Sequence, residues 1–186
     1  AGVDISPPDD GGGVLGAVVA LKWPEMELAE VKFGREKPLI LYIPGYLAFR
    51  EVPAVIDALR RLEIEPDVIL VNGQGLAHPR RFGLACHLGF VKEVSTIGFA
   101  KSRLMGRYEL LGADRGSSSM LKDKGDAVRR VVCTRADVSP FYPSVGHKVD
   151  IESAVAIVLK CFRKYRLSET TRFAHQAAAG RYSEGL

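Results

Sequence analysis

The chain has 186 residues and a mass of 20.3 kDa, with 26 Lys+Arg against 22 Asp+Glu, a net charge of +4 and a pI near 9.0. That length suits one domain spanning residues 1–186. The 47% apolar and 26% charged fractions exclude wholesale disorder, and no apolar run approaches the roughly 18–20 residues of a membrane span. Three widely spaced cysteines (Cys86, Cys133, Cys161) make no disulfide framework, and no CxxC or HxxxH pair offers the usual zinc spacing. The expectation is a reducing, cytoplasmic setting with no membrane partner. Nothing in Ala1-Gly2-Val3-Asp4 reads as a secretory leader, and Asp4 reads as mid-strand, which implies residues preceding Ala1. The basic balance permits a polyanionic partner without demanding one.

In chain order, Val3–Ser6 predicts a short strand ended by Pro7-Pro8. Val14–Trp23 and Glu27–Phe33 predict two further strands, joined by a turn at Pro24-Glu25 and meeting as an antiparallel meander. Leu39–Ile43 is another strand-sized apolar run, stopped by Pro44-Gly45. The period then changes: Phe49, Val52, Val55, Ile56, Leu59 and Leu62 fall at helical spacing. Val68–Val71, apolar without alternation, reads as a strand buried on both faces. A helix to about Phe90, a strand at Ser95–Ala100 and a strand at Val128–Thr134 follow. Asp150–Arg163 is an amphipathic helix with Asp150 as its N-cap, and the tail from Arg166 shows no clear pattern. Three antiparallel strands followed by α-β-α-β alternation predict an α/β fold with a mixed sheet.

The densest polar loop, Asn72-Gly-Gln-Gly75-Leu-Ala-His78-Pro-Arg80-Arg81, leaves a buried strand at its C-terminal end, where open α/β sheets bind ligands. It is not a dinucleotide fingerprint, because His78 stands at the third glycine position and Pro79 interrupts the turn. Asp4 is a carboxylate in an apolar strand, so it is paired, metal-bound or solvent-facing. Glu51 opens a helix, where a carboxylate also simply complements the dipole. Lys101 follows a strand, His147 precedes the capped helix, and Tyr42-Ile-Pro-Gly45 is an aromatic turn. Taken singly, each has an ordinary structural explanation.

Together these motifs resemble the endonuclease V family. The matching blocks are Ala1-Gly-Val-Asp4-Ile-Ser6, Tyr42-Ile-Pro-Gly45 with Phe49-Arg-Glu51, the Asn72–Arg81 loop, and Thr96-Ile-Gly-Phe-Ala-Lys101-Ser-Arg-Leu104. Gly146-His147 and Glu169-Thr-Thr-Arg172 complete the order up to about His175. The resemblance implies a ribonuclease H-like fold, with three antiparallel strands, then parallel ones, and flanking helices. It implies a monomeric, Mg²⁺-dependent endonuclease, with Mn²⁺ as a substitute, acting on inosine-containing DNA or RNA. The cut is expected at the second phosphodiester bond 3′ to the deaminated base, leaving 3′-hydroxyl and 5′-phosphate ends.

By the same resemblance, Asp4, Glu51 and position 72 hold the metal, Lys101 stabilises charge at the scissile phosphate, and His147 lies close to the metal. His78 and Arg80 contact the strand. Tyr42 is the wedge that holds the gap left by a flipped base, and Leu41, where many members carry proline, loosens it slightly. Gly45, Leu47, Gly73 and Gly75 line the base pocket with backbone groups, and Leu104 closes it. A rigid backbone donor suits the hypoxanthine oxygen and leaves adenine's amino group unpaired, a penalty of about 1–3 kcal/mol. Asn72 stands where the family has aspartate, which removes a full charge from the metal cluster and predicts weakened cleavage. An engineered substitution that traps substrate and a natural variant that binds rather than cuts both account for it. The sequence leaves DNA against RNA open, with DNA favoured.

Overall fold

The computed structural model describes residues 1–6, 13–37, 47–103, 106–109, 111–123, 126–134, 139–165 and 167–183. In chain order the elements are β1 (Gly2–Ser6), β2 (Val14–Lys22), β3 (Glu27–Glu36), α1 (Leu47–Arg60), β4 (Val68–Val71), α2 (Leu84–Lys92) and β5 (Ser95–Ala100). Then come β6 (Arg107–Tyr108), β7 (Ser118–Asp123), β8 (Asp126–Val132), β9 (Tyr142–His147), α3 (Ile151–Lys160) and α4 (Glu169–Ala178). They form two compact units, Ala1–Leu70 with Glu169–Leu186, and Val71–Ser168.

In the first unit the strand order is β3-β2-β1-β4. The meander is antiparallel, with Asp4 opposite Ala17 and Ala17 opposite Phe33. The Ala1 ammonium donates to the Val68 carbonyl at 2.7 Å, and the Leu70 N–H donates to the Ala1 carbonyl at 2.8 Å. One residue straddled by bonds to j and j+2 is the parallel pattern, so β4 runs parallel to β1 and the sheet is mixed, as the sequence predicts.

Each face of this sheet takes one helix, and small residues set how closely it approaches. A Cβ at Gly16 would lie 2.8 Å from the Ala54 carbonyl carbon, and one at Gly34 would collide with the Ala54 oxygen, so α1 lies directly on the β2–β3 backbone. On the other face Ala174 and Ala177 of α4 pack with Ala17, Val19 and Val31, all fully buried. Burial of the two valines contributes about 1.5–3 kcal/mol each through removal from water, and of each alanine about 0.8 kcal/mol.

In the second unit β5 and β9 pair antiparallel, with Phe99 opposite Pro143, and β6-β7-β8 form a separate three-stranded sheet. Phe99 stacks on Phe141 at 4.8 Å between centroids, and Phe162 tilts against both at 5.6 and 5.2 Å. Asp150 caps α3 as expected, its Oδ1 accepting the Ser153 N–H at 2.9 Å. Arg115 satisfies the other end by donating to the Leu159 and Phe162 carbonyls.

The structure corrects the sequence reading in several places. The patternless tail contains α4, and β6, β7 and β9 were not anticipated. β3 runs three residues beyond Phe33, and Glu51 lies one turn into α1 rather than at its start. The expected strand at 39–43 lies outside the described residues. Among the described residues no helix is long and apolar enough to cross a membrane.

Candidate active site

The first unit brings three titratable groups together. Asp4 is at the middle of β1, and its register with Ala17 and Phe33 turns it toward the α4 face. Its carboxylate is 11% exposed, Oδ1 accepts the Ile5 N–H at 3.0 Å, and Oδ2 lies 3.0 Å from His175 Nδ1. A carboxylate only accepts, so Nδ1 carries the proton in this contact. Glu51 projects from α1, and its carboxyl is pushed up to about 7, first by burial and then by the Asp4 charge, with Arg50 pulling the other way. A carboxyl held up by burial and by a neighbouring carboxylate is a donor that a divalent cation relieves.

Mg²⁺ asks for only one or two protein carboxylates, with waters and phosphate oxygens completing the shell. Asp4 and Glu51 fit that demand. No group of three or more His, Cys, Asp or Glu side chains with metal-binding geometry occurs among the described residues. His175 was missed as a site residue. Its signal was a helix-spaced Glu169-Thr-Thr-Arg172-Phe-Ala-His175, in which Arg172 pairs with Glu169 one turn before His175.

The second unit carries the glycine-rich loop. Asn72 directly follows β4, and the loop is stitched to β9: the Gly75 N–H donates to Ser144 Oγ at 2.9 Å, and the Leu76 N–H donates to the Val145 carbonyl at 2.8 Å. A Cβ at Gly75 would collide with that same carbonyl, so the close approach itself requires glycine. Gly73 is looser, with Leu84 3.4 Å from a built Cβ. The Gly83 N–H returns to the Gly75 carbonyl at 3.1 Å, which closes the loop onto the start of α2.

His78 is half-buried, and desolvation followed by the Arg80 charge lowers its pKa. The Arg80 N–H donates to its Nδ1 at 3.3 Å, so the neutral ring keeps its proton on Nε2, free to donate. Arg80 is exposed, and so is Lys101, which directly follows β5. His147 sits with Phe90 at 6.4 Å, edge to face, and its Nε2 is 3.7 Å from the Glu93 carboxylate, too long for a hydrogen bond. The histidine on Asp4 in the first unit is His175, while His147 lies in the second unit beside Phe90 and Glu93. Leu47 begins α1, while Tyr42, Gly45 and Leu104 lie outside the described residues.

The whole chain has close relatives. The sequence profile of the family described as Endonuclease V matches residues 1–176. The chain is 45% identical over 181 residues to the Endonuclease V of Trichormus variabilis, covering 97% of this chain and 82% of that protein. It superposes on the crystal structure of Streptomyces avermitilis Endonuclease V with a TM-score of 0.93 and 40% identity, over 97% of this chain and 79% of that one. Ciona intestinalis Endonuclease V, solved in complex with a 24mer DNA containing an inosine followed by a ribo-adenosine, matches with a TM-score of 0.81 and 27% identity, over 97% and 84% of the two chains. The mixed α/β, ribonuclease H-like arrangement is the one these structures share, and the chain belongs to the Endonuclease V family of endonucleases, which act on phosphodiester bonds.

Proposed function

We propose that the chain acts on inosine-containing nucleic acid, with DNA as its main substrate, and cuts at the second phosphodiester bond 3′ to the lesion. The observation that carries this reading is the Asp4–Glu51 pair, with His175 on Asp4. Asp4 and Glu51 hold Mg²⁺, or Mn²⁺ in its place, and position 72 is the third family ligand. An ion held there would supply positive charge for activating a water and for neutralising the leaving oxygen.

The remaining work belongs to the chain's own residues. His175 holds the Asp4 carboxylate in one orientation through Nδ1–H. Lys101 brings positive charge to the scissile phosphate, and His78, as the Nε2–H tautomer, donates to a strand phosphate beside Arg80. Tyr42 wedges the stack open while backbone groups of Gly45, Leu47, Gly73 and Gly75 read the flipped base under Leu104. The inosine complex of the Ciona relative supports the choice of lesion.

The test is single-turnover nicking of matched DNA and RNA oligonucleotides carrying inosine or adenosine, with and without Mg²⁺. Metal-dependent nicking restricted to inosine supports the reading, and equal cutting of both bases sinks it. A second reading, a non-cleaving inosine-binding module, is favoured by Asn72 alone. Tight inosine binding with no nicking in Mg²⁺ or Mn²⁺ would select it.

A further inference from the structure

In the second unit, α2 leaves aromatic rings in solvent just beyond the Asn72–Arg81 loop. Phe82 is 46% exposed and Phe90 62%, with Val91 beside it at 49%. The rings form a row: Phe82 lies 5.8 Å from His87 and 6.5 Å from Phe90, and Phe90 lies 6.4 Å from His147 on β9. Centroid separations below about 7 Å are those of touching aromatic pairs. Part of this is local structure. Gly83 is the N-cap of α2, so Phe82 and His87 stand at the two positions of a hydrophobic staple, which fixes how the chain enters the helix. The staple uses only one edge of Phe82, and it gives no reason for Phe90, a turn further on, where the ring is mostly in water.

The backbone that presents these rings is pinned on both sides. Arg81, at a φ of 55°, donates its N–H to the His78 carbonyl at 2.8 Å and its guanidinium to the Asp123 carbonyl and Oδ2 at 3.3 Å each. The Gly83 N–H donates to the Gly75 carbonyl, and a Cβ at Gly83 would lie 2.3 Å from the Gln74 oxygen. Burial lowers the His87 pKa, so its ring is neutral near pH 7 and adds aromatic surface rather than charge.

Charge decides the kind of partner. From Val68 to Tyr108 the sequence carries Arg80, Arg81, Lys92, Lys101, Arg103 and Arg107 against one acid, Glu93. Arg81 is committed to Asp123, and Glu93 is answered by Lys148, whose Nζ lies 2.7 Å from its carboxylate. Lys92 is exposed beside Val91 at the end of α2. Exposed ring faces in an excess of positive charge suit a polyanion that carries flat apolar groups, which is a single nucleic-acid strand. An apolar protein segment would use the rings but not the charge.

We propose that the Phe82–Phe90 face of α2 is a stacking platform for an unpaired base flanking the lesion in the bound strand. The proposal rests on the reading of the chain as an inosine-directed nuclease. The two rings meet at 72°, edge to face, so no base enters between them, and the flanking base lies on the outward face of Phe90. Every base has a π-face, so this contact is tolerant of sequence.

Anisotropy titrations in Ca²⁺ test it, using single strands of about 12 nucleotides with one inosine, whose flanks carry either ordinary bases or abasic sites. Removing the flanking bases is expected to weaken binding by about 5–30-fold, and Phe90→Ala to lose a similar factor on the ordinary flanks but nothing on the abasic ones. Phe90→Trp should bind at least as tightly as the starting protein, whereas Phe90→Leu, apolar without a π-face, should stay weak. If Phe90→Ala melts abnormally by circular dichroism, Phe90→Leu carries the same comparison. Equal losses on both strands, no loss, or full binding by Phe90→Leu overturns the proposal. So does self-association in sedimentation that Phe90→Ala abolishes while strand binding persists, which would give this face to a second copy. Failure of the functional reading is separate: adenosine strands would then bind as tightly as inosine ones, with the dependence on flanking bases and on Phe90 intact.

Discussion

Asp4 and Glu51 sit in one unit, where the Asp4 charge adds to burial in pushing the Glu51 carboxyl up, and His175 Nδ1 lies 3.0 Å from Asp4 Oδ2. An outer hydrogen-bond partner of a metal ligand is typically worth about 10–100-fold in metal affinity or activity. His175→Ala is therefore expected to raise the Mg²⁺ concentration for half-maximal nicking by about that factor, while binding to inosine oligonucleotides in Ca²⁺ is unchanged. An unaltered Mg²⁺ dependence would reduce His175 to a surface residue. On the proposed ligand set, Asn72→Asp adds one charge beside a dication, an attraction of several kcal/mol before desolvation at an effective dielectric near 20. Each 1.36 kcal/mol realised only in the transition state is tenfold, so about two decades or more in single-turnover rate is the expected gain. Similar rates for Asn72 and Asp would remove position 72 from the ligand set. On the proposed ligand set Asn72 lowers the starting rate, so His175→Ala is best measured in the Asn72→Asp background.

Among the elements, β3 does more than close the meander. Glu30 is 6% exposed, accepts the Glu63 N–H at 3.1 and 3.2 Å and the Ile64 N–H at 3.2 Å, and lies 3.2 Å from Lys32 Nζ. It thereby anchors the turn that leads from α1 into β4. Burial raises its pKa, but the two backbone donors and Lys32 outweigh that and leave it below the usual carboxylate range. A lowered folded pKa means stability present above the unfolded value of about 4.3 and lost as pH falls through the folded one. Glu30→Gln should cost about 1–3 kcal/mol by urea unfolding near pH 7, with the gap to wild type narrowing below about pH 4. A gap that does not change with pH would show that Glu30 contributes by shape rather than charge.

Elements also differ in how legible they were. β2 and α1 announced themselves through long apolar periods, whereas α4 buries Thr170, Thr171, Ala174 and Ala177, a face of small and hydroxyl side chains with little apolar signal. β7 begins at Ser118-Ser119, which became strand only by pairing with Val132 and Val131 of β8.

For the whole molecule, the net charge of +4 sets an expectation about salt. On the proposed reading, two backbone contacts from Arg80 and Lys101 give a slope near −1.4 on a single strand, or roughly 7-fold weaker binding between about 50 and 200 mM salt. Salt-independent affinity would mean that base contacts alone hold the strand. The sequence by itself determined the family, the mixed α/β order and the candidate carboxylates, because motif spacing and apolar periodicity are local properties of the chain. Which histidine meets Asp4 was decided only by the tertiary structure, since 171 residues separate Asp4 from His175 and no local pattern encodes that contact. A cavity of about 410 Å³ lined by Leu15, Phe33, Arg35 and Ala177 has the same origin. β-register aligns Phe33 and Arg35 with the Asp4 face, and α4 closes the wall with residues from the far end of the chain.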